Sequence, residues 1–171
     1  MPELAATGPQ GTAIHKLVSL IAADSAFQTR TGAADSTEAE AKHIYWPWLQ
    51  NDDGREIDVI EATRPFVLIE QADYTWDLKA GGAQNYFLPY GSLLLTISDN
   101  DKFVEDYKSD WTDFINFCDD VLQAIIDGAA LSDALAVVEI KQARAAMLNP
   151  ENQWQDCRYW CAAYRVDWNP I

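Results

Sequence analysis

The sequence predicts an α+β domain: a mixed or antiparallel sheet of about five strands, with one long and one or two shorter helices packed on one face. Three patterns carry that expectation. From Phe103 to Ile126 apolar residues recur at three-and-four spacing through Trp111, Phe114, Cys118, Val121 and Ile125, as the buried stripe of one long helix requires. Before it lies an apolar hairpin over 64–98, and after it come two further alternating segments. Strands grouped on either side of one crossing helix make a sheet with helices on a single face.

The elements follow in chain order. Residues 1–10 read as a loose terminus, and 11–27 as a helix with Ile14, Leu17, Val18 and Ile21 on one side and Thr12 at its N-cap. Asp35 with Glu38, and Thr37 with Glu40, fit capping boxes that open a short helix to about Lys42. Residues 43–46 form a short strand stopped by Pro47. The polar stretch 49–63 reads as a surface excursion of the length that is often functional.

Pro65 opens the first long strand, whose apolar parity is Phe66, Leu68, Ala72, Tyr74 and Trp76. Residues 77–85 carry a Gly-Gly pair and are too many for a tight turn, which predicts a protruding loop. The return strand spans 86–98, with a bulge at Gly91 where its apolar parity changes. Asp99 or Asn100 caps the long helix and Gly128 ends it. Residues 135–147 alternate next, with Ala136, Val138 and Ile140 apolar. The last strand is the clearest: Trp160, Ala162, Tyr164, Val166 and Trp168 share one parity, Arg165 and Asp167 the other.

At 171 residues the chain suits one domain spanning 1–171, with a core that needs no staples. The formal charge of −15 repels phosphate backbones and anionic lipid, which argues against a basic nucleic-acid patch. Cys118, Cys157 and Cys161 make an odd count without framework spacing, so a reduced cytosolic setting is the default. The N-terminal segment lacks the plan of a signal peptide, and no apolar run approaches the ~20 residues of a membrane span. A soluble protein is expected.

Candidate chemistry is sparse. His15 lies off the first helix's apolar stripe. Glu40 and His43 have Glu-x-x-His spacing, but di-metal carboxylate sites need that motif twice. Ser92 has no nucleophile elbow around it. Cys157 and Cys161 form no Cys-x-x-Cys, and Gly81-Gly82 joins two strands where a phosphate cradle would lead into a helix. Asp119-Asp120 reads as a solvated helix face. No catalytic, cofactor or metal set emerges. Seven tryptophans exceed what the core needs. Trp111, Trp160 and Trp168 read as core, while Trp48, Trp76 and Trp154 flank polar loops and suit interface or loop-anchoring roles.

The N-terminal helix, His43-Ile-Tyr-Trp46, Arg64-Pro-Phe-Val-Leu-Ile69, Gly91-Ser-Leu-Leu-Leu-Thr-Ile97, the long helix and Tyr164-Arg-Val-Asp-Trp168 together resemble the tail-terminator (tail-completion) proteins of long-tailed bacteriophages. That resemblance implies a non-enzymatic virion protein, assembled in the host cytoplasm. It would form a homohexameric ring at the head-proximal end of the tail tube, stop tube growth and present a surface to head-completion or neck proteins. DNA would pass through the ring without specific binding, and no membrane or cofactor is implied. It also places the loops 49–63 and 77–85, with Asp77, Lys79, Gln84 and Tyr86, at ring or tube contacts beside Trp48, Trp76 and Trp154. Two alternatives stand beside it: a head–tail stopper or adaptor of the neck, and a small acidic protein-binding module outside viruses.

Overall fold

A computed structural model describes residues 8–51, 53–59, 61–81, 84–100, 106–133, 135–148 and 158–171, with the backbone alone over 76–81 and 84–89. The chain mixes four helices with a six-stranded sheet. Helices α1 (Pro9–Ala23), α2 (Ser25–Thr31) and α3 (Ser36–His43) lead into β1 (Ile44–Tyr45) and the hairpin β2 (Phe66–Gly81) and β3 (Gln84–Asn100). Then follow α4 (Tyr107–Asp127), β4 (Ala130–Ser132), β5 (Leu135–Leu148) and β6 (Tyr159–Pro170). The strand order is β1-β2-β3-β6-β5-β4, with β1 parallel to β2 and every other pair antiparallel.

Local chemistry sets the helix boundaries. The helix expected over 11–27 is two helices, because Asp24 is extended and its carboxylate accepts the Phe27 N–H at 2.7 Å to begin α2. Thr12 is not the N-cap of α1; Gly8 is, with Pro9 just inside, where a missing N–H costs nothing. Asp35 caps α3 as expected, accepting from Glu38 N at 2.9 Å, while Glu38 reaches back to Ala34 N at 2.8 Å. His43 closes α3 and is not in the strand, which is only Ile44–Tyr45. The cap of α4 is Asp106, accepting from Ser109 N at 3.1 Å; Asp99 and Asn100 belong to β3. Residues 1–7 and 101–105 lie outside the described residues.

The core forms between the helices and one face of the sheet. Leu17, Val18, Ile21 and Phe27 meet Val67, Ile69, Leu93, Leu95, Ile97, Ala162, Val166 and Trp168 there. The last strand places its apolar parity in this core as expected. Strand β2 does not: Val67 and Ile69 face the helices, while Phe66 and Leu68 lie in a second cluster with Tyr45 and Ala62. Leu49, Ile57 and Val59 of the excursion pack on that cluster, so part of 49–63 covers the sheet's other face. Both parities of β2 are apolar, and alternation by itself could not say which one meets the helices.

Helix α4 is turned relative to its predicted stripe. Its buried residues are Asp110, Phe114, Phe117, Cys118, Val121 and Ile125. Phe117, absent from the predicted stripe, lies parallel to Phe27 with ring centroids 6.0 Å apart. Trp111, expected in the core, is 45 % exposed, and Ile126 is exposed as well. Asp110, on the expected wet side, is buried because its carboxylate accepts the indole N–H of Trp160.

Bulges shift the strands. The break in register falls between Gln71 and Asp73 of β2, not at Gly91. Strand β5 breaks register between Val137 and Glu139, so Val137 packs against the core and Val138 is exposed. The sixth strand, β4, is built from residues read as loop. Among the described residues no helix is long and apolar enough to cross a membrane.

Candidate interaction surface

The β2–β3 hairpin extends beyond the sheet. Strand β6 pairs with β3 from Asn100 only as far as Gly91, and β1 pairs with β2 only at Val67 and Leu68. Among the described residues, 75–81 and 84–90 therefore pair with each other alone, as a two-stranded arm. At about 3.3 Å per residue the seven residues 75–81 reach roughly 23 Å. The expected loop 77–85 is mostly strand, because pairing continues out to Gly81 and Gln84; residues 82–83 lie outside the described residues. The physical reason is continuous antiparallel pairing across residues whose composition suggested a loop.

This arm collects five of the expected interface positions. Trp76, Asp77 and Lys79 lie on β2 opposite Pro89, Leu88 and Tyr86, and Gln84 opens β3. Trp48 stands apart, 50 % exposed on the loop after β1. Trp154 lies outside the described residues. An exposed aromatic pair, Tyr107 and the Trp111 expected in the core, sits one turn apart on α4, with the Arg158 guanidinium 4.8 Å above the Tyr107 ring. Only its tertiary setting reveals that pair as surface.

The base of the arm is tied to its neighbours by packing and ion pairs. Trp168 is fully buried against Gly91, and Tyr74 packs on its ring at 5.9 Å. Arg165 ties β6 to β2 through Asp73 at 2.8 Å and to Asp167 at 2.7 Å. Arg64 fastens the excursion. It donates to Val59 O at 2.5 Å and Ser98 Oγ at 3.1 Å, and its guanidinium lies 4.2 Å from the Tyr159 ring.

The titratable candidates are held in structural roles. The ring Nδ1 of His43 is 2.8 Å from Pro65 O in a buried setting, and His15 lies edge-on to Trp46 at 5.2 Å. Burial pushes the Cys118 thiol up to about 12, the reverse of what nucleophilic activation requires, and Cys161 is buried too. Cys157 lies outside the described residues. Asp119 and Asp120 are exposed. A shallow, open depression of about 340 Å³ between α2 and α4 has Arg30 in its lining, but that guanidinium is engaged by Asp99 at 2.5 Å and Asp113 at 2.7 Å. Among the described residues no group of three or more His, Cys, Asp or Glu is arranged to hold a metal ion.

No known protein family matches this chain, and no curated protein matches it either.

Proposed function

We propose that this chain is a structural assembly protein of a long-tailed phage: a tail terminator that forms a homohexameric ring on the tube and joins it to the neck. The observation that carries this reading is the arm of residues 75–81 and 84–90, braced at its base and reaching past the sheet. A two-stranded projection offers backbone edges to a neighbour, and a catalytic cleft gains nothing from it. The charge of −15 accords with a channel that lets DNA through without gripping phosphates. In this role the tube protein and the head-completion or neck protein are the partners, and the virion is the place of work.

The test is to mix purified protein with tail tubes of its own phage and view them by negative-stain electron microscopy. A ring closing one tube end, with tube length no longer increasing, is the expected result. Deleting residues 78–85, whose described members pair across the arm, should abolish capping while leaving the fold's thermal transition intact. Tubes that keep growing in saturating protein overturn the reading. Binding to the neck protein without capping favours a stopper or adaptor.

A further inference from the structure

The sheet ends in two open edges. Strand β1 covers β2 only at Val67 and Leu68, and β4 covers β5 only at Leu135 and Ala136. Ala129 O also accepts the Val137 N–H at 2.8 Å; beyond that, among the described residues nothing else pairs with the outer side of β2 from Ile69 onward or of β5 from Val138 onward. Such rows of unpaired N–H and C=O groups are templates for another chain unless they are blunted.

The two edges match each other. Antiparallel pairing of β2 with β3, β3 with β6 and β6 with β5 makes β2 and β5 run in opposite directions. A second copy in the same orientation, set beside the first, therefore brings its β2 antiparallel to β5, the more stable arrangement. The edges are open over the same tier of the sheet. One row across the strands reads Glu70, Leu94, Arg165, Lys141, and another reads Tyr74, Gly91, Trp168, Val137. Residues in one row point to the same face, so the next copy's Glu70 would arrive directly opposite Lys141.

The chemistry of that row selects the partner. Lys141 is exposed and its ammonium rests 2.6 Å from Glu139 of its own strand, a weak surface pair that can be exchanged. Arg144 is exposed three residues on. The β2 edge carries Glu70 and Asp73 over the same tier. The β5 edge, where Lys141 and Arg144 outnumber Glu139, would meet a β2 edge that carries Glu70 and Asp73, which favours head-to-tail contact over either edge meeting itself. Bulges at 137–139 and 142–144 confine straight pairing on β5 to the stretch that holds Lys141. We infer that β5 of one copy accepts the β2 edge of the next, antiparallel, with Lys141 opposite Glu70. This deepens the terminator reading by naming the surfaces that meet. A head-to-tail contact of this kind closes into a ring or grows into a filament according to its rotation.

The test uses charge reversal in the full chain. Lys141→Glu and Glu70→Lys should each weaken self-association, read as mass by light scattering, about tenfold. Both changes in one chain should restore it. In a Cys157→Ser background, Glu70→Cys mixed with Lys141→Cys should give a disulfide-linked dimer under mild oxidant, because opposed residues in such a pair lie within bridging distance. Neither variant should cross-link to itself. Self-linking of Lys141→Cys, association indifferent to both reversals, or absence of any association or cross-link overturns the inference. Tube capping that survives each single reversal overturns it and leaves the terminator reading intact. Rescue by the double reversal in protein that never caps tubes upholds the interface and overturns the terminator.

Discussion

Gly91 and Trp168 are in direct contact across β3 and β6: a Cβ at position 91 would lie 2.9 Å from Cζ2 of the Trp168 ring and 2.7 Å from the backbone oxygen of Asp73. The glycine is required by this approach and not by its dihedral angles. The indole fills the space a side chain would take, at the point where the sheet gives way to the arm.

Replacing Gly91 by alanine should therefore destabilise the fold by about 1–3 kcal/mol through overpacking. Valine at the same position should cost more. Urea unfolding followed by tryptophan fluorescence measures both, and an unchanged midpoint for Gly91→Ala would mean the backbone yields without cost.

Arg30 links α2 to β3 and α4. Its guanidinium meets Asp99, whose side chain is 2 % exposed, and Asp113, which is 42 % exposed. Removing the cation with Arg30→Ala takes the guanidinium from the buried Asp99 carboxylate, which keeps its hydrogen bond from Asn100 N, and should cost about 3 kcal/mol. Asp113→Ala should cost less than about 1 kcal/mol, because that arm is solvated. Arg30→Lys should recover only part of the loss, since one ammonium cannot reproduce the fork. Chemical denaturation of the three variants ranks them.

Helix α4 offers an internal contrast. Phe114 is fully buried beside Trp160, and Trp111 is largely exposed. Phe114→Ala should cost about 3–5 kcal/mol as a core truncation. Trp111→Ala should stay within about 1 kcal/mol in the isolated chain. A large loss at Trp111 would place that indole in a packed core.

Alkaline pH should loosen the core through Cys118 and Tyr164. Burial raises both groups: the Cys118 thiol reaches about 12, and Tyr164 rises above its usual 10, with Cys118 as its second cause. The unfolded chain then holds fewer protons than the folded one above about pH 9. Stability from the thiol is complete below its unfolded pKa and is lost as pH rises toward 12, at up to about 1.4 kcal/mol per pH unit. Urea midpoints between pH 8 and 11 should fall, and Cys118→Ala should flatten that slope. A slope unchanged by the substitution removes the thiol as its cause.

Where one local pattern dominated, the chain's own residues were enough. The Asp35 cap, the α4 helix and the Trp160-to-Trp168 parity of β6 each follow from side chains a few positions apart, whose interactions close within one element. Composition likewise established the acidic balance. Tertiary structure decided what depends on partners distant in sequence. Val67 and Ile69 face the helices, Phe117 replaces Trp111 in the core, Asp110 is buried under Trp160, and 75–81 pairs with 84–90 as an arm. Periodicity records that a face is apolar. Which of two apolar faces is covered, and which strand edges stay open, is settled only when the remaining elements compete for the same surface.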